Sequence, residues 1–320
     1  MKRGSGIIVK TSALLILSAL LPVTTGLACG EKPREANPVE TTREAPPDAL
    51  PHRIFSSAAK ALEAVLDETD PSVVGFGEFH QQTGTVGTLS TIERFADQLL
   101  PVMAQRTSDL VVEAWVSEGR CGAVEKQVVS DVNKVSKRPD ETEDENLRML
   151  KAARVLGVQP HILKMECADY EKVHMADGGV DYLEMLKLVA RRLMETTGKI
   201  IQKKPPSDHR MIAVFSGAIH NDLSPAKDWE TFSYGPAMQK AARGKYVEID
   251  IYVPEFVQAA NTAREEIWYD KVTSLASRET AALIETGKNS YIIVFPKGIK
   301  APRSSPDHLT EGEKDKKVAR

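Results

Sequence analysis

Two histidines stand out for their surroundings. The stretches Val73-Val74-Gly75-Phe76-Gly77-Glu78-Phe79-His80 and Ile212-Ala213-Val214-Phe215-Ser216-Gly217-Ala218-Ile219-His220 each run an apolar segment into a glycine, with a histidine three residues on. Glu78 lies two residues before His80, and a carboxylate there can orient the imidazole, act as a base or share a metal with it. Glu113 follows another apolar run, Asp109-Leu110-Val111-Val112, where a lone carboxylate is costly unless paired or bound to a cation. His80, His220 and Glu78 are the candidate catalytic residues, and the same three with Glu113 are the candidate ligands of a divalent metal. Mixed nitrogen and oxygen donors suit Zn, Mn or Co, and such a metal lowers the pKa of its bound water toward neutrality. A metal-free variant uses His80 as general base oriented by Glu78, and the sequence does not separate the two. With 20 glycines and seven histidines in 320 residues, roughly 0.4 Gly-x-x-His matches arise by chance. The weight therefore rests on finding two, each directly after a strand-like run. Asn221 and Asp222 are further candidates, of types that also suit helix capping.

One crevice can collect these groups only if the elements bearing them are adjacent. Strands are expected at 72–76, 109–114, 158–163, 210–216, 246–253 and 291–295, and helices at 54–67, 89–103, 143–156, 181–201, 236–243 and 264–275. Strands alternating with helices imply an α/β fold, with a mainly parallel central sheet of about six strands flanked by helices. In such sheets ligands bind at the carboxyl ends of the strands, so the strands ending near Gly75, Glu113 and Ser216 are expected to be neighbours. The segment Gly84-Thr85-Val86-Gly87-Thr88 lies between His80 and the next helix, either as an ordinary loop or as backbone donors for an anion.

The motifs Gly77-Glu78-Phe79-His80 and Gly217-Ala218-Ile219-His220, with Glu113 between them, resemble those of the clan that joins the ChaN-type haem-binding lipoproteins, the TIKI and TraB proteins and the erythromycin esterases. The similarity runs from about Ser72 to Val253. It implies an α/β fold built around two Gly-x-x-His motifs, and activities that range from metal-dependent peptide cleavage to ester hydrolysis and haem binding. Some branches place an arginine between the two histidine motifs; Arg148, Arg191 and Arg192 are the candidates here, each also suited to a helix surface. For the haem alternative, Tyr170, His174 and Tyr182 lie close together in sequence as axial candidates. The chain has no Cys-x-x-Cys-His for covalent attachment.

The first residues carry Lys2, Arg3 and Lys10, then an apolar run from Ala13 to Val23, then Gly26-Leu27-Ala28-Cys29. This is the order of a secretory signal, and the run is too short to span a membrane. Its end resembles a lipobox, with Leu27 one place later than usual. Residues 1–28 are thus expected to be a lipoprotein signal peptide, and Cys29 the lipidated N-terminus that anchors the chain in the cell envelope. The expected site is the outer membrane, facing the periplasm or the exterior. Residues 29–51 are Glu-, Pro- and Thr-rich and read as a disordered tether, 301–320 as a disordered tail, and 52–300 as a single domain. A formal net charge of −3 with scattered basic residues argues against nucleic acid as a partner. Cys121 and Cys167 could pair as one disulfide in an oxidising compartment or stand as two buried thiols. The expected function is a metal-dependent hydrolase of peptide or ester bonds; the alternatives are a ChaN-type haem-binding lipoprotein and a catalytically inert interaction lipoprotein.

Overall fold

The structure, a computed structural model, describes residues 10–11, 50–85, 87–139, 141–176 and 178–298. Eight strands form one sheet: β1 (His52–Phe55), β2 (Val73–Glu78), β3 (Thr107–Glu118), β4 (Gln159–Glu166), β5 (Met211–Gly217), β6 (Tyr246–Tyr252), β7 (Ala281–Gly287) and β8 (Ser290–Val294). Their order across the sheet is β4-β3-β5-β2-β6-β8-β7-β1. From β4 to β8 every pairing is parallel, whereas β7 joins β8 and β1 antiparallel. The sheet is therefore mixed, with the six expected strands present and an antiparallel margin added. The expected neighbours are neighbours: β5 lies between β3 and β2.

The three strands at the centre explain their own sequences. β2, β5 and β6 are buried along their whole lengths, and a parallel sheet covered on both faces needs continuous rather than alternating apolar residues. The helices are α1 (Ala58–Thr69), α2 (91–103), α3 (Gly122–Ser136), α4 (Thr142–Val155), α5 (Cys167–Val173), α6 (Tyr182–Lys203), α7 (Ala218–Asn221), α8 (Gly235–Ala241), α9 (Pro254–Ala259) and α10 (Tyr269–Ser274). One face of the sheet, with Val74, Phe76, Val112, Phe215 and Ile251, packs under α1, α2, α4, α9 and α10. The other, with Val111, Trp115, Ile212, Val214 and Tyr246, packs under α3, α5, α6 and α8.

Local signals set the helix limits. Ser57 caps α1 by accepting from the Lys60 N–H, and Asp181 caps α6 through the Glu184 N–H. The expected helix from residue 54 starts only at Ala58, because 52–55 is spent pairing with β7. In α2 a π turn, Phe95–Leu99, precedes Pro101; a proline inside a helix removes an N–H and its ring displaces the preceding turn. Phe95 lands on Phe76 and Phe215 as a result.

One irregularity matters for the site. β3 and β4 pair Val112 with Ile162 and then Trp115 with Leu163, so Glu113 and Ala114 have no counterpart on β4. Such a bulge re-aims the side chains it contains. Of the expected leader only residues 10–11 are described, as a two-residue strand antiparallel to Ala114 and Trp115. Cys29, the tether up to residue 49 and the tail lie outside the described residues. Among the described residues no helix is long and apolar enough to cross a membrane.

Candidate functional site

Parallel pairing brings the two motifs level. β2 and β5 align Gly77 with Ser216 and Glu78 with Gly217, so both motifs leave the carboxyl edge of the sheet side by side. His80 then turns back on its own strand: Nδ1 lies 2.9 Å from Glu78 Oε1. Donation from Nδ1–H to this carboxylate fixes the tautomer and leaves the lone pair on Nε2. Gly217 is what admits the ring, since a Cβ there would sit 2.8 Å from His80 Nε2 and 3.6 Å from Glu113 Oε2.

Arg138, from the segment between α3 and α4, completes this unit. Its Nη2 is 2.9 Å from Glu78 Oε1, and 2.5 Å and 2.9 Å from the two ring nitrogens of His80. An atom that close to both nitrogens lies against the ring, so the guanidinium touches the imidazole while bonding the carboxylate. Burial alone pushes the Glu78 carboxyl up; the charges of Arg138 and His80 and their hydrogen bonds outweigh it and hold Glu78 below the usual carboxylate range. Arg138 was not among the arginines singled out in the sequence. Arg148 instead pairs with Glu93 and Glu145, and Arg191 and Arg192 pair with Asp169 and Glu195. Lys137 just before it takes a left-handed φ of 48° and turns the chain into the site, a signal that its residue type does not reveal.

The bulge delivers Glu113 to the other side of Gly217. Its Oε2 accepts from the Gly217 N–H at 2.7 Å, and lies 4.0 Å from Nε2 of His220. Burial pushes Glu113 up toward the neutral acid, only partly offset by the charges of His80 and Arg138 and by the Gly217 N–H; Glu78 adds to the rise. His220 is fully buried on α7, and its Nδ1 is 2.7 Å from the Phe232 carbonyl, to which Nδ1–H donates. Burial pushes this imidazole down to about 4, so it is neutral near pH 7 with its lone pair on Nε2. Three buried atoms of these side chains have no partner among the described residues: Glu113 Oε1, His220 Nε2 and Arg138 Nε.

No family model matches the chain. No curated protein matches it either. A solved structure, that of the type III effector HopBA1, aligns over 77% of this chain and 98% of its own at 12% identity, with a TM-score of 0.38. A likeness that weak carries no argument about activity.

The metal expectation meets an obstacle in the donors themselves. Among the described residues no three His, Cys, Asp or Glu side chains are gathered so as to hold a metal ion. The place between Glu78 and His80 is taken by the Arg138 guanidinium, and a second cation there would face its charge. As arranged, the residues do not fit Zn, Mn or Co. For haem, the Tyr170 hydroxyl is bonded to Ser117 Oγ at 2.7 Å and the Tyr182 hydroxyl donates to the Asp131 carbonyl at 2.9 Å, and the His174 backbone bridges to Val180. Both phenols are thus engaged elsewhere.

Behind the site lie two buried acids that the sequence reading missed, Asp250 and Glu248. The Asn221 amide donates to Asp250 Oδ1 at 3.1 Å and to the Gly75 carbonyl at 3.3 Å, and the Tyr252 hydroxyl donates to Asp250 Oδ2 at 2.8 Å. Glu248 Oε2 accepts from the Leu223 N–H at 2.8 Å. Burial pushes Asp250 up to about 7, and pushes Glu248 up as well. Asp222, whose Oδ1 accepts from the Ser224 N–H, is also raised by burial. Gly75 and Gly77 make room for this layer: a Cβ at Gly75 would fall on the Tyr246 hydroxyl, and one at Gly77 on Asp250 Oδ1 and Asn221 Oδ1. Asn221 thus ties the His220 helix to the two central strands, a larger role than helix capping.

Proposed function

We propose that the chain is a hydrolase of ester or amide bonds that activates water with His80 and needs no metal. The observation that supports this reading is the Glu78–His80–Arg138 unit at the carboxyl edge of the sheet, in which one carboxylate fixes the imidazole and one guanidinium fills the place a metal would need. His80 Nε2 takes a proton from water as the water oxygen bonds to the carbonyl carbon. The carbonyl π electrons move onto oxygen, and the unpartnered Arg138 Nε–H is the donor available to that oxyanion. Collapse breaks the bond to the leaving oxygen or nitrogen, which is protonated by Glu113 acting as general acid, the carboxyl that burial pushes up. The proton collected by His80 returns to Glu113 through solvent, and acid and alcohol or amine depart. Two carboxylates lie either side of Gly217 with pKa values pushed in opposite directions, the pattern that divides orienting and acid roles. The lipidation of Cys29 remains the reading of the leader and puts this chemistry at the cell envelope.

The test is hydrolysis of a panel of p-nitrophenyl esters and aminoacyl anilides by the purified chain, with and without a chelator. Turnover that survives the chelator and disappears in His80→Ala is the expected result. Turnover abolished by chelation and restored by Zn, Mn or Co would overturn the metal-free reading.

A further inference from the structure

Cys121 and Cys167 are joined in a disulfide across a separation of 46 residues. Its position in the fold gives it a role beyond general stiffening. Cys121 is the residue before α3, and Cys167 opens α5 at the carboxyl end of β4. At the far end of α3 the chain passes Lys137 and places Arg138 on Glu78 and His80. We infer that this disulfide is the positioning element that seats Arg138, so that the oxidised chain is the competent form; the inference rests on the hydrolase reading for its effect on activity.

Little else anchors the arm. Of the 15 residues of α3, only Val128, Val132 and Ser136 are buried. Ser117 Oγ donates to Glu125 at 2.7 Å, and the Tyr182 hydroxyl reaches the Asp131 carbonyl. The chain enters α3 through Gly119 and Gly122, both at positive φ of 108° and 71°, a turn that glycine adopts without strain and also releases easily. Both cysteines are half-buried and open to a reductant. The central strands are instead held by ladders on both sides and by apolar layers above and below. Reduction therefore loosens the arm that carries Arg138 and leaves the sheet folded. The guanidinium leaves its carboxylate, and the oxyanion loses its donor.

The experiment compares the full chain oxidised, the same chain reduced and alkylated, and the Cys121→Ser/Cys167→Ser double variant. Hydrogen exchange is followed across 122–138, with 73–78 and 211–217 as internal references, and labelling of Arg138 by phenylglyoxal is read by mass spectrometry. The expected result is faster exchange in 122–138 alone and a labelled Arg138 in both disulfide-free forms. Activity should fall about tenfold or more in the wild-type background. It should change by less than about twofold in an Arg138→Ala background, because the two changes remove the same contact. Unchanged exchange with Arg138 still protected would overturn the inference, and so would global unfolding on reduction or losses that multiply in the Arg138→Ala background. If no form hydrolyses any substrate, the reaction falls, and exchange and labelling still decide the positioning.

Discussion

Replacing Gly217 with alanine isolates the placement of one imidazole. The backbone there has φ −62° and ψ 144°, which alanine adopts freely, so the effect comes from space alone. The new methyl would stand 2.8 Å from Nε2 and 3.1 Å from Cε1 of His80, and the ring must retreat by about 0.7 Å to reach ordinary contact. It cannot do so without lengthening its bond to Glu78 or pressing on Arg138. A misplacement of about 1 Å costs roughly 100-fold in rate, so a shift of about 0.7 Å is expected to lower kcat/KM roughly 25-fold. Overpacking costs on the order of 1–3 kcal/mol, a fall in Tm of roughly 5 °C for a domain of this size. The assay is kcat/KM on the best ester together with thermal unfolding. Gly198→Ala serves as control, because a Cβ there meets nothing within 4 Å, and a helical Gly→Ala change is expected to stabilise by up to about 1 kcal/mol. A folded Gly217→Ala chain with undiminished kcat/KM would show that His80 does not act from the position described.

Glu78→Gln and His80→Ala are each expected to remove most activity, about 100-fold or more, and the double variant to be little worse than either, because the two side chains act as one unit; independent, multiplying losses would refute this. Glu78→Gln should also destabilise by about 3–5 kcal/mol, since it strips the partner from the buried Arg138 charge, read as a shifted denaturation midpoint. His220 titrates near 4 in the folded chain and near 6.5 unfolded, so only the unfolded chain takes up this proton between those values. Stability from this group is full above pH 6.5 and falls by about 3 kcal/mol as pH drops to about 4; in His220→Gln that part of the slope should vanish from denaturation midpoints measured at pH 4.5–7. Asp250 has the opposite sign, because its raised value of about 7 makes the folded chain hold a proton that the unfolded chain releases above about pH 4. Its contribution is lost as pH rises toward 7, so Asp250→Asn should gain Tm relative to wild type between pH 5 and 8, and an equal offset at both would refute the assignment.

Much of the frame could be read from residue types, and the reasons for the failures are physical. The central runs 73–76, 109–112 and 211–215 were legible because a sheet covered on both faces favours continuous apolar residues. β1 and β7 escaped notice for opposite reasons. His52-Arg53-Ile54-Phe55 lies on the margin with an alternately exposed pattern, and Ala281–Gly287 is a buried run that closes a hairpin through Asn289 at φ 61°. Helix α3 was missed because its buried stripe is two valines and a serine among polar residues. That omission hid Arg138, since nothing in its own type sets it apart from Arg148 or Arg192. Glu78, His80, Glu113 and His220 were identified, and the structure brings them around Gly217. Their sequence could not show that Arg138 sits against Glu78 and His80, nor that its charge and that of His80 hold Glu78 low while burial raises Glu113.

The glycines of β2 bear on how such a chain can drift. Gly75 and Gly77 are receiving surfaces whose missing side chains are replaced by groups from β6 and α7, namely the Tyr246 hydroxyl and the carboxyl and amide oxygens of Asp250 and Asn221. Neither partner can change alone. A side chain gained at 75 requires the loss of bulk at 246 and room at the Tyr234 hydroxyl, and one gained at 77 requires retreat at 250 and 221 and a shift of the backbone at Ala218. Among diverging relatives these positions should therefore change together or not at all, so that substitutions at 75 and 246, and at 77, 221 and 250, are inherited as sets.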